Sequence, residues 1–198
     1  MLTIDTSNPK AAYLGNDNLF TSSPPIDFAE TDLGYVGSQH KFLLKIPEGQ
    51  ISIDAKRGQV FLISGNSVVD ISALGTGMHN FLKENLPFRI LKSFPTIDID
   101  NHFKDIGLHG VYDSRYERVI ITKLDFVPLS SDVKYDETTK EFYVNDIIGE
   151  YSFKRVVSVL DGEYFCNRSW TLSYGLITKS WISFHSYLPN FYIAENNF

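Results

Sequence analysis

A chain of 198 residues, 43% hydrophobic and 21% charged, is long enough to bury a core and too apolar for a disordered tail. A net charge of −6 argues against a dedicated nucleic-acid binder, which would cluster Lys and Arg against phosphates. The lone Cys166 excludes an internal disulfide and a cysteine-built zinc site; it reads as a small buried apolar residue, with a nucleophile as the alternative. No apolar run approaches the roughly 18 residues of a membrane helix. The start, "MLTIDTSNPKAAYLG", lacks the basic-then-apolar layout of a secretory signal.

In chain order, residues 1–30 are rich in Asn, Ser, Pro and Asp without a period and read as an extended arm. Residues 31–198 read as one β domain. From Lys41, "KFLLKI", "QISID", "QVFLIS" and "SVVDIS" are short apolar runs separated by "PEG", "AKRG" and "GN", the pattern of a β-meander. In "GMHNFLKENLP", Met78, Phe81, Leu82 and Asn85 fall at helical spacing and Pro87 stops the pattern, which predicts one short helix. "FPTIDIDNHFKDIGLHG" reads as an irregular connection. Strands are expected from Gly110 to near Ile193, with a loop near Pro128–Asp132.

A motif recurs through these strands. Asp54, Asp113, Asp136 and Gly175 share one frame. Ile53, Tyr112, Tyr135 and Tyr174 precede them, and Val60, Val119, Phe142 and Trp181 follow six positions later. Between lie "AKRGQ", "SRYER", "ETTKE" and "LITKS". This is the pattern of a hairpin with a loop of about four residues, opened by an Asp whose carboxylate accepts backbone N–H bonds just ahead, or by Gly. The charges of "DSRYER" therefore read as a solvated turn and not as a catalytic cluster. The intervals of 59, 23 and 39 residues between successive copies are irregular. About 40 residues is one propeller blade, and shorter intervals fit two hairpins of one blade. The expected fold is mainly β, propeller-like with partial or irregular blades, and one helical insertion. Only three or four blades fit, which points to a fragment of a longer chain or an incomplete ring.

The segments "DLGYVGSQHKFLLKIPEGQISIDAKRGQVFLISGNSVVDIS", "GMHNFLKENLPF", "GVYDSRYERVIITKLDF" and "CNRSWTLSYGLITKSWISFHSYLPNFYI" resemble the tail stabilisation proteins, or muzzle and nozzle proteins, of crAss-like tailed bacteriophages. The resemblance covers most of the chain after about residue 30. Members of that family are much longer than 198 residues, in keeping with a fragment. The resemblance implies a virion structural protein in the short tail, below the portal and ring proteins, forming part of the DNA-ejection conduit. It implies a homo-oligomer in the virion, made in the bacterial host cytoplasm, without specific nucleic-acid binding or membrane attachment. It brings no catalytic residues, no cofactor and no metal. An acidic wall suits a conduit, because it does not hold the DNA.

Other groups carry competing readings. Asp98, Asp100 and His102 alternate in "TIDIDNH" and on an extended segment would share a face, as metal ligands do; a solvated loop is the expectation. His109, His185, Ser173 and Ser183 suggest a hydrolase, but no G-x-S-x-G elbow is present. Gly75–Gly77 ahead of the helix lacks the lysine and the Ser or Thr that end a phosphate loop and reads as a helix-entry turn. Asn167–Ser169 matches a glycosylation site by chance. Trp170, Tyr174, Trp181, Phe184, Tyr187, Phe191 and Tyr192 pack a core in the favoured reading, with subunit contact or sugar stacking as alternatives. The runner-up function is thus a carbohydrate- or protein-binding propeller module of a host-recognition protein. A glycan hydrolase would need two of Asp98, Asp100, Asp161 and Glu163 paired in a cleft.

Overall fold

The computed structural model describes residues 42, 44–65, 67–75, 77–99, 104–148 and 151–193. The expected arm over 1–30 and the start of the β domain lie outside these residues. The described part is mainly β, with one α-helix and several antiparallel sheets.

Sheet one is a meander of β1 (Leu44–Ile46), β2 (Gly49–Asp54), β3 (Gln59–Ser64) and β4 (Ser67–Asp70), paired in that order. A 3-10 turn over Ile71–Ala73 follows, opened by the Asp70 carboxylate, which accepts Ser72 N–H at 2.9 Å. Helix α1 is Met78–Asn85, where the apolar spacing predicts it. A second 3-10 turn, Ile90–Lys92, has no counterpart in the sequence reading.

Sheet two has the order β13-β12-β6-β5, from β5 (Gly107–Asp113), β6 (Arg118–Leu124), β12 (Trp170–Gly175) and β13 (Ser180–His185). Strand β5 begins three residues before the expected Gly110, because buried Leu108 pairs with Lys123 and extends the ladder. Between β6 and β12 the chain forms β7 (Phe126–Pro128) paired with β11 (Phe165–Asn167), and a third sheet from β8 (Lys134–Asp136), β9 (Glu141–Ile148) and β10 (Tyr151–Val157) in the order β10-β9-β8. Among the described residues no sheet closes into a barrel or propeller ring.

One continuous core joins these sheets. Helix α1 sits between the first two. Its backbone at Leu82 and Lys83 lies so close to Gly58, in the β2–β3 loop, that a Cβ there would stand 2.4 Å from Lys83 Cα. On its other side Phe81 makes edge contacts with Trp170 (5.6 Å) and Phe184 (5.0 Å) of sheet two. A second aromatic group ties in the third sheet: Phe142 meets Phe94 at 5.2 Å, Tyr135 at 5.1 Å and Phe165 at 5.1 Å. Cys166 is half-buried rather than buried, because it lies on the short two-stranded ladder that only partly enters the core.

The recurring motif forms four equivalent turns. Asp54, Asp113, Asp136 and Gly175 each end a strand and pair with the residue five positions on, leaving loops of four. Asp54 accepts Arg57 N–H (3.1 Å), Asp113 those of Arg115 and Tyr116 (3.2 and 3.4 Å), and Asp136 those of Thr138 and Thr139 (3.0 and 3.3 Å). The fourth loop residue is left-handed in every copy: Gly58 (φ 72°), Glu117 (46°), Lys140 (59°) and Lys179 (49°). That conformation turns the chain back into the returning strand, where Val60, Val119 and Phe142 are buried and Trp181 is half-buried. Gly175 is required by space, since a Cβ would stand 2.5 Å from Thr178 Oγ1 and 2.8 Å from Ile182 Cδ1.

Candidate functional site

The residues that suggested hydrolysis do come together, on the outer face of sheet two. His185, Thr171, Thr122 and His109 stand directly opposite one another across its four strands. The chain after β13 runs back over this row. Thr171 donates its hydroxyl to the Tyr187 carbonyl (2.7 Å), so it accepts from Thr122 at 2.8 Å, and Thr122 in turn accepts from the Tyr192 phenol at 2.6 Å. Burial holds the Tyr192 phenol above its ordinary range, which keeps it a donor. The His109 ring meets the Pro189 carbonyl through Nε2 at 2.5 Å; a carbonyl only accepts, so Nε2 carries the proton. Tyr192 packs on His109 (5.4 Å), and Tyr187 stacks on His185 (5.0 Å, 29°). The row is a latch that holds the terminal strap, residues 186–193, against the sheet.

Beside it, Ser173 and Ser183 hydroxyls lie 3.3 Å apart, and Ser183 Oγ is 3.4 Å from His185 Nε2. That separation is longer than an engaged nucleophile–base pair of about 2.6–3.2 Å. Burial, and then Arg118, lower the His185 pKa below its ordinary 6.5. The open clefts lie elsewhere. One of about 350 Å³ is lined by Lys104, Asp105, Lys140, Glu141, Val156 and Val159. A second, of about 80 Å³, shares Lys104 and Lys140 and adds Asp98 and Tyr135. Asp98 thus reaches a cleft that neither Asp161 nor Glu163 lines. Asp161 instead accepts Glu163 N–H at 2.9 Å in a turn. Asp100 and His102 lie outside the described residues, and among the described residues no three His, Cys, Asp or Glu side chains form a metal-sized group.

The remaining motifs are architectural. Gly75 and Gly77 are left-handed (φ 96° and 83°), and Gly77 caps α1 as a helix-entry turn. Asn167 accepts Ser169 N–H at 2.8 Å in a turn. Arg118 reaches back to Asp113 at 2.9 Å and lies over Tyr116 at 4.8 Å. Trp170 donates its indole N–H to the Asn85 carbonyl (3.3 Å) and Trp181 to that of Ile71 (2.9 Å), which anchors both indoles to the backbone of neighbouring elements. Phe184, Tyr187 and Phe191 stay exposed.

Sequence reasoning missed one ionic centre. Lys123 and Asp125 are almost wholly buried, 1% and 0% exposed at the side chain, and pair at 2.7 Å. The three ammonium hydrogens of Lys123 go to Asp125, the Asn85 carbonyl (2.8 Å) and the Pro87 carbonyl (3.0 Å), capping the end of α1. Asp125 also accepts the N–H groups of Arg89 (2.8 Å) and Ile90 (3.2 Å). Burial lowers the Lys123 pKa, against the pull of Asp125. Every group of this centre is bonded to the backbone of a neighbouring element, so it fastens α1 to sheet two.

Comparison of the chain with protein families, with curated proteins and with solved structures finds no match.

Proposed function

We propose that this chain is a non-enzymatic structural protein of a short phage tail, a stabilisation or nozzle component that forms part of the wall of the DNA-ejection conduit. The observation that carries the reading is the commitment of reactive side-chain types to architecture. The Thr and His row latches the terminal strap, the Asp residues of the repeat hold turns, and the buried Lys123–Asp125 pair fastens α1. The resemblance of four long segments to tail stabilisation proteins supplies the tail. The charge of −6 suits a wall past which phosphates move without being gripped.

In this reading the β1–β4 meander is one propeller-like blade. The β5-β6-β12-β13 sheet is a second, with the β7–β11 region inserted between its strands. Partners are the portal and ring assembly and further copies of the chain, with no specific nucleic acid and no membrane. The test is mass spectrometry of purified virions from the phage that encodes the chain. Peptides of this chain at a stoichiometry like that of other tail proteins support the reading, and their absence from intact particles contradicts it. The second reading, a carbohydrate- or protein-binding module of a host-recognition protein, draws on exposed Tyr187 and Phe191. Saturable binding on a glycan array would favour it.

A further inference from the structure

After β13 the chain folds back over sheet two as the strap, residues 186–193, and this cover is fastened unlike the rest of the molecule. Among the described residues no backbone–backbone hydrogen bond joins it to the sheet. The hydrogen bonds that hold it each use a side chain. Thr171 donates to the Tyr187 carbonyl at 2.7 Å, His109 to the Pro189 carbonyl at 2.5 Å, Tyr192 to Thr122 at 2.6 Å, and Asn190 to Asp105.

The core does not depend on the strap. None of its eight residues belongs to the hydrophobic core, six are exposed and none is buried. Phe191 is 66% and Ile193 80% exposed, so closure gains little apolar burial. The row beneath, His109, Thr122, Thr171 and His185, is polar. Thr122 and Thr171 also bond each other at 2.8 Å, a contact that survives without the strap. Water can take the places of the strap's two carbonyls and its phenol, so lifting it strands no hydroxyl of the row. Against these replaceable bonds stands the conformational entropy of ordering the whole segment.

We infer that residues 186–193 are a releasable cover, which lifts off sheet two as a unit about the exposed Ser186 while the four strands stay folded, and so bares the His109–Thr122–Thr171–His185 row. Segments with few buried apolar contacts open locally, well below the free energy of global unfolding. The strap meets that description, and the ladders of sheet two beneath it do not: they are continuous over β5, β6, β12 and β13 and take no bond from the strap backbone. Opening breaks the two ring contacts, Tyr187 with His185 (5.0 Å) and Tyr192 with His109 (5.4 Å), together with the four hydrogen bonds. Imidazole and hydroxyl groups that the closed form commits to the strap then line one surface across four strands. The inference is independent of the proposed tail role.

The test is native-state proteolysis of the full chain with chymotrypsin, which cuts after Tyr187, Phe191 and Tyr192, followed by intact mass. Where opening and closing outpace cleavage, the rate follows the population of the open form. Cuts within the strap should run at least about tenfold faster than cuts after the buried Phe61 and Tyr174 of the sheets. Tyr192→Phe keeps the cleavage site but removes the bond to Thr122, and should speed strap cleavage by about threefold or more. Thr171→Val removes the bond to the Tyr187 carbonyl and should act in the same direction. Both variants, and the product that has lost the strap, should keep the circular dichroism and cooperative urea transition of the intact chain. Strap cleavage no faster than cleavage after Phe61 would overturn the inference. So would an unchanged strap rate in both variants, or loss of the cooperative transition in a variant or in the cleaved product.

Discussion

Replacing Asp125 by Ala tests whether the buried ionic centre holds the architecture. The substitution leaves the Lys123 ammonium buried without its countercharge and removes the acceptor of the Arg89 and Ile90 N–H groups. Breaking one side of a buried pair costs about 3–5 kcal/mol. Each stranded N–H adds roughly 1–3 kcal/mol if no water reaches it, though the terms overlap. A loss of at least about 3 kcal/mol is therefore expected, or roughly 6–20 °C in Tm for a domain of this size. Lys123→Met should cost less than Asp125→Ala, because Trp170 still donates to the Asn85 carbonyl and Asp125 still accepts the Arg89 and Ile90 N–H groups. Urea denaturation of both single variants and the double variant gives the coupling, expected at about 2 kcal/mol or more. An Asp125→Ala loss within about 0.5 kcal/mol, the range of ordinary surface changes, would refute the reasoning.

The repeated turns make three further predictions. Asp113→Ala removes two backbone acceptor contacts and the Arg118 partner, and should lower stability by about 1 kcal/mol in urea titration. Gly58→Ala should cost about 2 kcal/mol or more, because the site is left-handed and lies against the α1 backbone. Glu117→Gly should do the reverse and gain about 0.5–1 kcal/mol, since it relieves a left-handed non-glycine residue in open solvent. The fifth prediction concerns pH. The folded His185 pKa lies below 6.5, so on acidification the unfolded chain takes up that proton first. Stability falls as pH drops through about 6.5 and the fall ends below the folded value. His185→Gln should shrink the difference in urea midpoint between about pH 7.5 and about pH 5.5, and an unchanged difference would count against the assignment.

The hairpins were legible because they are local. An Asp, four loop residues and a returning apolar residue encode strand end, turn and register within seven positions. The α1 helix was legible for the same reason, through the spacing of Met78, Phe81 and Leu82 and the stop at Pro87. What was missed depends on contacts far along the chain. Lys123 and Asp125 alternate inside the apolar run "VIITKLDF", and an ion pair two residues apart on a core face is the signal that could have found them. The strap "YLPNFYI" read as more of the aromatic core. Its bonds to Thr122 and His109 span 70 and 80 residues, and no local pattern carries them.

The most direct measurement of the proposed role is a cryo-electron-microscopy reconstruction of the phage tails in which the proposal places this chain. The account predicts density for the β1–β4 meander and the four-stranded β13-β12-β6-β5 sheet in the tail wall below the portal, in several symmetry-related copies around the DNA channel. A tail fully built from other proteins, with this chain recovered free and turning over a substrate, would contradict it.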